Sequence, residues 1–317
     1  MTDIIDYAHG ISAIDAQFQR PRLNAIHLIV EGNRAAIVDT ASNHSVPLVL
    51  DALHGKGLGP ENLDYIILTH IHLDHAGGAG LLMTHCPNAK LTVHPRGARH
   101  IADPTKLMEG TIAVYGQALA KRLYGEIVPV PKDRIIETRH GAGISLNGRE
   151  LRFLETSGHA RHCVCIHDSR SEHIFAGDTF GLSYRELDCG ERQFVFPTTS
   201  PVQFDPDALQ LSIEALLDLQ PSAIYVTHYG QVRDVARLGS DLKRLIEAHV
   251  QLARRERNAG SSRHERLREG VARLVVEEAN RSCWRLRGDD ALKVFAGDIE
   301  LNAQGLGAWL DSLPSLA

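Results

Sequence analysis

The stretch Thr69–Gly78, THIHLDHAGG, follows directly on the largely apolar run LDYIIL. Three histidines and one aspartate occupy the six positions from His70 to His75. His70 and His72 project to the same side of an extended backbone, because side chains alternate along a strand. A buried core would have to desolvate all four polar side chains without return, whereas imidazole and carboxylate are suitable ligands for zinc or iron. The stretch therefore predicts a metal site at the end of a strand.

Three more ligand-type residues follow apolar strands further along the chain. LETSGHARH places His159 after a strand and a glycine, IFAGDTF does the same for Asp178, and AIYVTHYG ends a strand at His228. Each of them alone has an ordinary explanation as a hydrogen-bonded or turn residue. A single tetrahedral zinc needs about four ligands. The chain offers seven ligand-type residues at strand ends: His70, His72, Asp74, His75, His159, Asp178 and His228.

The order of these residues resembles the metallo-β-lactamase superfamily, in its glyoxalase II-like hydrolase branch. The resemblance covers about residues 20–230 and rests on HIHLDH followed by the three later ligands. It implies an α+β fold, an αββα sandwich with the metals at one edge of its two sheets. By position in the motif, the first metal would be bound by His70, His72 and His159. The second would be bound by Asp74, His75 and His228, with Asp178 bridging both ions.

The resemblance also implies a mechanism without a serine or cysteine nucleophile. A water that bridges two divalent ions loses a proton near neutral pH and attacks the substrate carbonyl, which one metal polarises. Asp74 and Asp178 are the predicted catalytic residues. Asp74 would additionally orient the hydroxide, and Asp178 would bridge the two ions. Zinc is the expected metal, with iron and manganese as alternatives, since all three accept histidine and carboxylate. Asp39, in AIVDTA, matches an acidic position of this superfamily and either supports a ligand histidine or forms a turn.

The substrate is predicted to be an ester-like bond, with a thioester favoured. GDTF resembles the glyoxalase II segment GDTLF, and CGERQF loosely resembles its Cys-Gly-Arg-Phe stretch. The C-terminal region has no basic cluster of the kind that would bind glutathione, so a thioester of another thiol, such as an acyl-CoA, is favoured. The apolar side chains predicted to favour an acyl chain are Leu107, Met108, Tyr115 and Phe180.

Two other reactions remain alternatives. Acyl-homoserine lactonases share the seven-ligand set but have a tyrosine three residues after the bridging aspartate, where this chain has Gly181. Tyr184 or Tyr229 would have to replace that tyrosine. Persulfide dioxygenases resemble the same motif but use a single iron, whose ligands would be His70, His159 and Asp178.

The chain is predicted to comprise a catalytic domain at residues 1–230 and a mostly helical extension at residues 231–317. Two strands flank the turn Glu31-Gly32-Asn33, and a second set of strands begins after Pro131 with DRIIET. Between the two sets, about residues 97–125 form a helical insert, because its apolar residues recur at a spacing of three to four.

Composition limits the class of protein. The 43% of apolar residues can fill a large core, and a net charge of −5 without a basic stripe argues against a nucleic-acid partner. No apolar run reaches the roughly 20 residues that span a bilayer, so no membrane association is expected. The start shows no signal peptide, and five cysteines are few, which favours the cytoplasm. The expected partner is a small-molecule substrate, and the oligomeric state is open, with a homodimer among the alternatives.

Overall fold

The computed structural model describes residues 2–199 and 201–314, which form two compact units. Within that part of the chain, the first unit comprises residues 2–155, 162–177 and 221–231. The second unit comprises residues 156–161, 178–199, 201–220 and 232–314. The division at residue 231 proposed from the sequence stays a prediction.

The first unit contains a seven-stranded sheet whose strand order follows the chain. Its strands are β1 (Ile4–Asp6), β2 (Ile11–Asp15), β3 (Ala25–Glu31), β4 (Arg34–Val38), β5 (Leu63–Ile67), β6 (Lys90–Val93) and β7 (Ile135–Glu137). The first four strands pair antiparallel, and β4 to β7 pair parallel. The two strands predicted around Glu31-Gly32-Asn33 are confirmed as β3 and β4.

A second sheet has six strands in the order β13-β12-β11-β10-β9-β8. They are β8 (Gly143–Leu146), β9 (Arg149–Glu155), β10 (Val164–Asp168), β11 (His173–Gly177), β12 (Ile224–Val226) and β13 (Gly230–Val232). Strands β8 to β11 pair antiparallel with one another, and β12 runs parallel to β11. Both sheets are therefore mixed.

The segment DRIIET was wrongly assigned to the second set of strands. Its strand β7 pairs parallel with β6 in the first sheet, where Leu91 lies opposite Ile135. Parallel neighbours need a long crossover connection, and the predicted helical insert provides it. The chain therefore returns to the edge of the first sheet before it begins the second.

The two sheets of the first unit bury apolar side chains between them. Ile29 and Ile67 of the first sheet belong to the same buried cluster as Phe153, Ile166 and Phe175 of the second. The opposite face of the first sheet packs against helices, so a strand such as β3 is apolar on both faces. This layering explains why the sequence of β3, AIHLIVE, reads as a nearly continuous apolar run.

The described part of the first unit contains six α-helices. They are α1 (Val46–Gly55), α2 (Leu73–Ala76), α3 (Ala79–His85), α4 (Pro95–Ala102), α5 (Thr105–Tyr115) and α6 (Gln117–Tyr124). The last three are the predicted insert. Pro104 and Gly116 divide it into separate helices, because proline disfavours a helical conformation of its predecessor and Gly116 has φ of 77°.

The second unit is largely helical. Its helices are α7 (Pro206–Asp218), α8 (Val235–Glu256), α9 (Arg263–Arg281), α10 (Asp289–Val294) and α11 (Ala296–Ser312). Trp284 stacks on Phe295 with ring centroids 5.4 Å apart, and Phe194 packs on the same indole. The predicted α+β class, with two sheets, flanking helices and C-terminal helices, is confirmed. Among the described residues, no helix has both the length and the apolar character needed to cross a membrane.

Two histidines outside the predicted site, one in each unit, are fully buried as neutral groups. Burial lowers the pKa of His27 and of His249 to about 4 from the ordinary 6.5. His249 donates Nδ1–H to the carbonyl of Leu245 at 2.7 Å and packs edge-on against Phe196. Between pH 4 and 6.5 the unfolded chain binds more protons than the native protein, so stability falls as the pH is lowered through this range.

We expect a His249→Leu variant to lose part of this acid sensitivity. Lowering the pH from 7 to 5 should cost the natural protein about 2 kcal/mol through His249, at roughly 1.4 kcal/mol per pKa unit. Urea unfolding of both metal-free proteins at the two pH values measures the difference. An unchanged pH dependence in the variant would contradict the assignment of a neutral, buried His249.

Candidate metal centre

Three predicted ligands of the first unit form a compact triad. The donor atoms of Asp74, His75 and His228 lie within 4.8 Å of one another. Nε2 of His75 and Nε2 of His228 each lie 3.4 Å from Oδ2 of Asp74. Helix α2 begins immediately after His72 and places Asp74 and His75 in its single turn, while His228 follows the end of β12. Two imidazole nitrogens and one carboxylate oxygen suit a divalent cation.

The rings of His75 and His228 are held so that Nε2 faces Asp74. His75 donates Nδ1–H to Oδ2 of Asp39 at 2.8 Å, and His228 donates Nδ1–H to the carbonyl of Leu23 at 3.1 Å. A carboxylate and a carbonyl can only accept, so both Nδ1 atoms carry the proton. The lone pair of each neutral ring is therefore on Nε2, so Nε2 is the atom that could bind a metal ion.

Asp39 is a fully buried carboxylate that joins three segments of the first unit. It accepts hydrogen bonds from the backbone N–H of Thr69 at 2.9 Å and from the hydroxyl of Thr227 at 2.8 Å. The bond from Nδ1–H of His75 is the third. The hydroxyl of Thr69 is a fourth donor. Asp39 follows β4 directly and has φ of 60°. It is thus both a turn residue and a support for His75, the two alternatives that the sequence left open.

His70 and His72 form a second histidine pair. Nε2 of His70 lies 3.0 Å from Nδ1 of His72. Nδ1 of His70 lies 3.2 Å from the hydroxyl of Thr69, whose own proton is donated to Asp39, so Nδ1 of His70 is the donor. The lone pair of His70 is then on Nε2. Two ring nitrogens this close either share a proton or bind one cation, and the donor set fits a metal ion.

The glycine pair that ends the motif allows a close backbone approach. A Cβ on Gly78 would lie 2.8 Å from the carbonyl oxygen of Ser42 and 2.9 Å from that of Thr40. The N–H of Gly78 bonds to the carbonyl of Ala41 at 2.9 Å. Only glycine fits this contact between α2 and the chain that follows Asp39, so the ligand helix and its support are held together.

The second unit contains the other two predicted ligands. Nε2 of His159 lies 3.5 Å from Oδ2 of Asp178, and both side chains are buried. Nδ1–H of His159 is donated to the carbonyl of Thr198 at 3.1 Å, which leaves the lone pair on Nε2. The hydroxyl of Thr198 donates to the carbonyl of Asp178 at 3.3 Å.

A further histidine of the first unit stands beside the pair formed by His70 and His72. The buried ring of His162 is stacked on that of His70, with centroids 6.1 Å apart and planes at 13°. Its centroid lies 5.7 Å from that of His72. None of the groups of described residues whose donor atoms are close enough to share an ion includes His162.

The predicted substrate residues of the insert are half-buried. Met108 packs on the core of the first unit, and the ring of Tyr115 lies 6.3 Å from that of Tyr124. Burial, reinforced by the charge of Asp74 and by Tyr115, raises the pKa of Tyr124 well above its usual value. Sequence reasoning missed Tyr124, because its position at the end of an amphipathic helix gave no sign of its closeness to Asp74.

The other predicted substrate residues are fully buried. Phe180 and Tyr184 lie in the second unit, where the hydroxyl of Tyr184 donates to the carboxylate of Asp298 at 3.0 Å. Tyr229 lies in the first unit against Ala13 and Ala25, and burial raises the pKa of its hydroxyl. No described geometry assigns these three residues to a substrate.

Three more supports of the candidate ligands were missed by sequence reasoning. The carbonyls of Leu23 and Thr198 fix His228 and His159, as described above. Asn24, which is fully buried, donates from Nδ2 to the carbonyl of Asp74 at 2.9 Å. Every residue has a backbone carbonyl, so the sequence gives no signal for the acceptors at Leu23 and Thr198. Only Asn24 uses its side chain, and a polar side chain before the apolar strand β3 was a signal that the sequence did offer.

Comparisons with known proteins match this chain in sequence and in fold. The family model of the metallo-β-lactamase superfamily matches residues 20–228, about two thirds of the chain. A metallo-β-lactamase fold-containing protein of Sulfurisphaera tokodaii is 29% identical over 230 residues, which cover 71% of this chain and 78% of that protein. The crystal structure of an archaeal superfamily protein from Sulfolobus tokodaii aligns with a TM-score of 0.64 at 23% identity, covering 95% of this chain and 99% of that one.

Two relatives with named activities match over shorter regions. A hydroxyacylglutathione hydrolase of Xanthomonas campestris is 28% identical over 184 residues, 56% of this chain and 51% of that enzyme. An acyl-coenzyme A thioesterase of Gallus gallus is 29% identical over 134 residues, 38% of this chain and 43% of that enzyme. This chain therefore spans about half the length of these two enzymes or less.

Proposed function

The chain belongs to the metallo-β-lactamase superfamily, and we propose that it hydrolyses a small-molecule thioester at a dinuclear metal centre. It is a metal-dependent hydrolase with a histidine-rich site. The observation that carries the proposal is the triad of Asp74, His75 and His228, with both histidines protonated on Nδ1 and their lone pairs facing Asp74. Two lone pairs that face a carboxylate are unfavourable in an apolar core, and a bound cation would stabilise all three groups.

We propose that all seven predicted ligands share one centre, with zinc as the metal. Covalent connection supports this grouping. Asp178 follows Gly177, and a Cβ on Gly177 would lie 2.5 Å from the hydroxyl of Thr69, the residue before His70. His159 precedes by three positions His162, whose ring is stacked on His70. His70, His72 and His159 would hold one ion, with Asp74, His75 and His228 on the other and Asp178 on both.

Bound divalent ions would supply Lewis acidity, which lowers the pKa of a water and polarises a carbonyl. The residues of the chain orient the attacking water and transfer its proton. Asp74 has the most exposed of the triad's side chains, at 22%, so its carboxylate can both hold the attacking water and accept its proton. In the reaction a carbon–oxygen bond forms, the carbon–sulfur bond breaks, and the proton passes to the thiolate that leaves.

The thioester class rests on two supports. Two relatives bear the names hydroxyacylglutathione hydrolase and acyl-coenzyme A thioesterase, although each matches only part of the chain. The second support is the helical insert, whose half-buried Met108 and Tyr115 offer apolar surface for an acyl chain. A lactone is the alternative substrate with the same carbonyl chemistry.

The test measures thiol release from acyl-CoA and glutathione esters and lactone opening, side by side, with metal-loaded protein. Asp178→Ala is the inactive comparison, and Asp133→Ala, an exposed aspartate, is the matched control. Thiol release that disappears only in Asp178→Ala supports the proposal. Lactone opening alone would replace the substrate class. If neither thioesters nor lactones are hydrolysed, the proposal of a thioesterase is overturned. The next measurements are then iron content and oxygen consumption with a persulfide.

The insert should set acyl-chain preference. We expect Met108→Ala and Tyr115→Ala to reduce the preference for an octanoyl over a butyryl thioester by roughly tenfold, because each methylene buried contributes about 0.8 kcal/mol. The measurement is kcat/KM for both esters. Lys106→Ala, an exposed change on the same helix, is the control. Equal preferences in all four proteins would remove the insert from the substrate site.

A further inference from the structure

A single asparagine of the C-terminal helix α11 holds the segment Pro197–Thr199. Asn302 donates from Nδ2 to the carbonyl of Pro197 at 3.0 Å. Its Oδ1 accepts the backbone N–H of Thr199 at 2.7 Å. The hydroxyl of Thr199 donates to the carbonyl of Asn302 at 3.1 Å. One side chain and its own backbone therefore fix the two residues that flank Thr198.

The residue between these two anchors contacts both predicted ligands of the second unit. The carbonyl of Thr198 accepts Nδ1–H of His159 at 3.1 Å, and its hydroxyl donates to the carbonyl of Asp178 at 3.3 Å. The hydroxyl also lies 3.1 Å from Nδ1 of His159. The orientation of the Thr198 peptide therefore decides which nitrogen of His159 carries the lone pair.

Burial makes the contact between Asn302 and this segment costly to replace. Asn302 is 2% exposed and Thr199 is fully buried, so water has little access to the groups that Asn302 satisfies. An amide side chain is suited to this position because it donates on one side and accepts on the other. A carboxylate would keep only the acceptor, and an aliphatic side chain would keep neither.

We propose that Asn302 is a positioning residue for the metal centre, acting through Thr198 on His159. The C-terminal helices are then part of the metal-binding machinery, although they lie outside the region matched by the family model. This inference rests on the proposed function for the presence of the metal, but it concerns metal affinity and not the substrate.

The test uses the full-length protein with Asn302→Ala and Asn302→Asp, and cobalt(II) and zinc(II) as probes. Metal affinity is measured by competition with a chelator, and the visible absorption of bound cobalt reports ligand geometry. Nitrogen-15 NMR of the histidine rings in metal-free protein reports which nitrogen of His159 is protonated. Asp298→Asn is the matched control, because it weakens the bond from Tyr184, in the same loop region, to the same helix.

We expect both Asn302 variants to bind the ion at His159 roughly tenfold less tightly, the lower end of the loss that follows when the outer hydrogen bond of a ligand histidine is disturbed, here through Thr198. His159 should lose its single Nδ1–H form, and Asp298→Asn should keep the natural affinity and tautomer. Unchanged affinity and tautomer in a folded Asn302→Asp protein would overturn the proposal and leave Asn302 a structural clasp. If Asn302→Ala does not fold, Asn302→Asp decides, since it keeps the acceptor for Thr199.

Failure of this proposal and failure of the proposed function are distinguishable. A protein that binds metal through Asn302-dependent ligands but cleaves no thioester would refute only the substrate assignment. A thioesterase whose metal affinity and His159 tautomer ignore Asn302 would refute only the positioning role.

Discussion

The Asp39→Ala variant should lose roughly 3–5 kcal/mol of unfolding free energy, together with most of its metal affinity. The carboxylate satisfies buried donors of Thr69, His75 and Thr227. Alanine leaves these donors without an acceptor, and each such group costs about 1–3 kcal/mol. It also removes the acceptor that keeps the proton of His75 on Nδ1, so Nε2 is no longer fixed as the lone-pair atom.

The measurement is denaturant unfolding of the metal-free protein beside chelator competition for zinc. Asp168→Asn is the matched control, because Asp168 is an equally buried carboxylate, paired with Arg149, that contacts none of the candidate ligands in the described hydrogen bonds. It should lose stability and keep its metal affinity. An Asp39→Ala protein with natural zinc affinity would show that His75 needs no support.

The candidate ligands could be selected from the sequence because it concentrates polar residues where apolar strands end. Histidine and aspartate at such positions are costly to bury in a core, so His70, His72 and Asp74 stand out as candidates without a structure. The layering was predictable for a related reason, since β3 is largely apolar on both faces and must be covered on both. These inferences rest on the cost of burial, which acts on each residue locally.

The features that were missed depend on pairings between distant segments. β7 joined the first sheet because the insert carries the chain back beside β6, and no local property of DRIIET specifies that neighbour. The acceptors of His228 and His159 are backbone carbonyls, whose direction depends on the conformation of the 16–24 loop and of Pro197–Thr199. Asn302 is one of several polar residues on α11, and its contacts with Pro197 and Thr199 set it apart.

Gly177→Ala should reduce hydrolysis by roughly a hundredfold, the scale of loss that a displacement of about 1 Å in a catalytic group produces. Gly177 has φ of 52°, and an added Cβ would lie 2.5 Å from Oγ1 and 2.7 Å from Cβ of Thr69. Thr69 cannot move freely, because its N–H and hydroxyl are bound to Asp39 and its carbonyl accepts the N–H of Val164. The displacement therefore passes to His70, the next residue, and to Asp178, which follows the substituted position.

Gly57→Ala separates this steric effect from backbone strain. Gly57 also has positive φ, at 74°, but no atom lies within 4 Å of a Cβ built there. Both variants bear the cost of a left-handed alanine, about 1 kcal/mol, and only Gly177→Ala adds the collision with Thr69. Steady-state kinetics and zinc affinity should therefore change in Gly177→Ala and stay natural in Gly57→Ala. Equal behaviour of the two proteins would mean that contact between Gly177 and Thr69 does not hold the ligands in place.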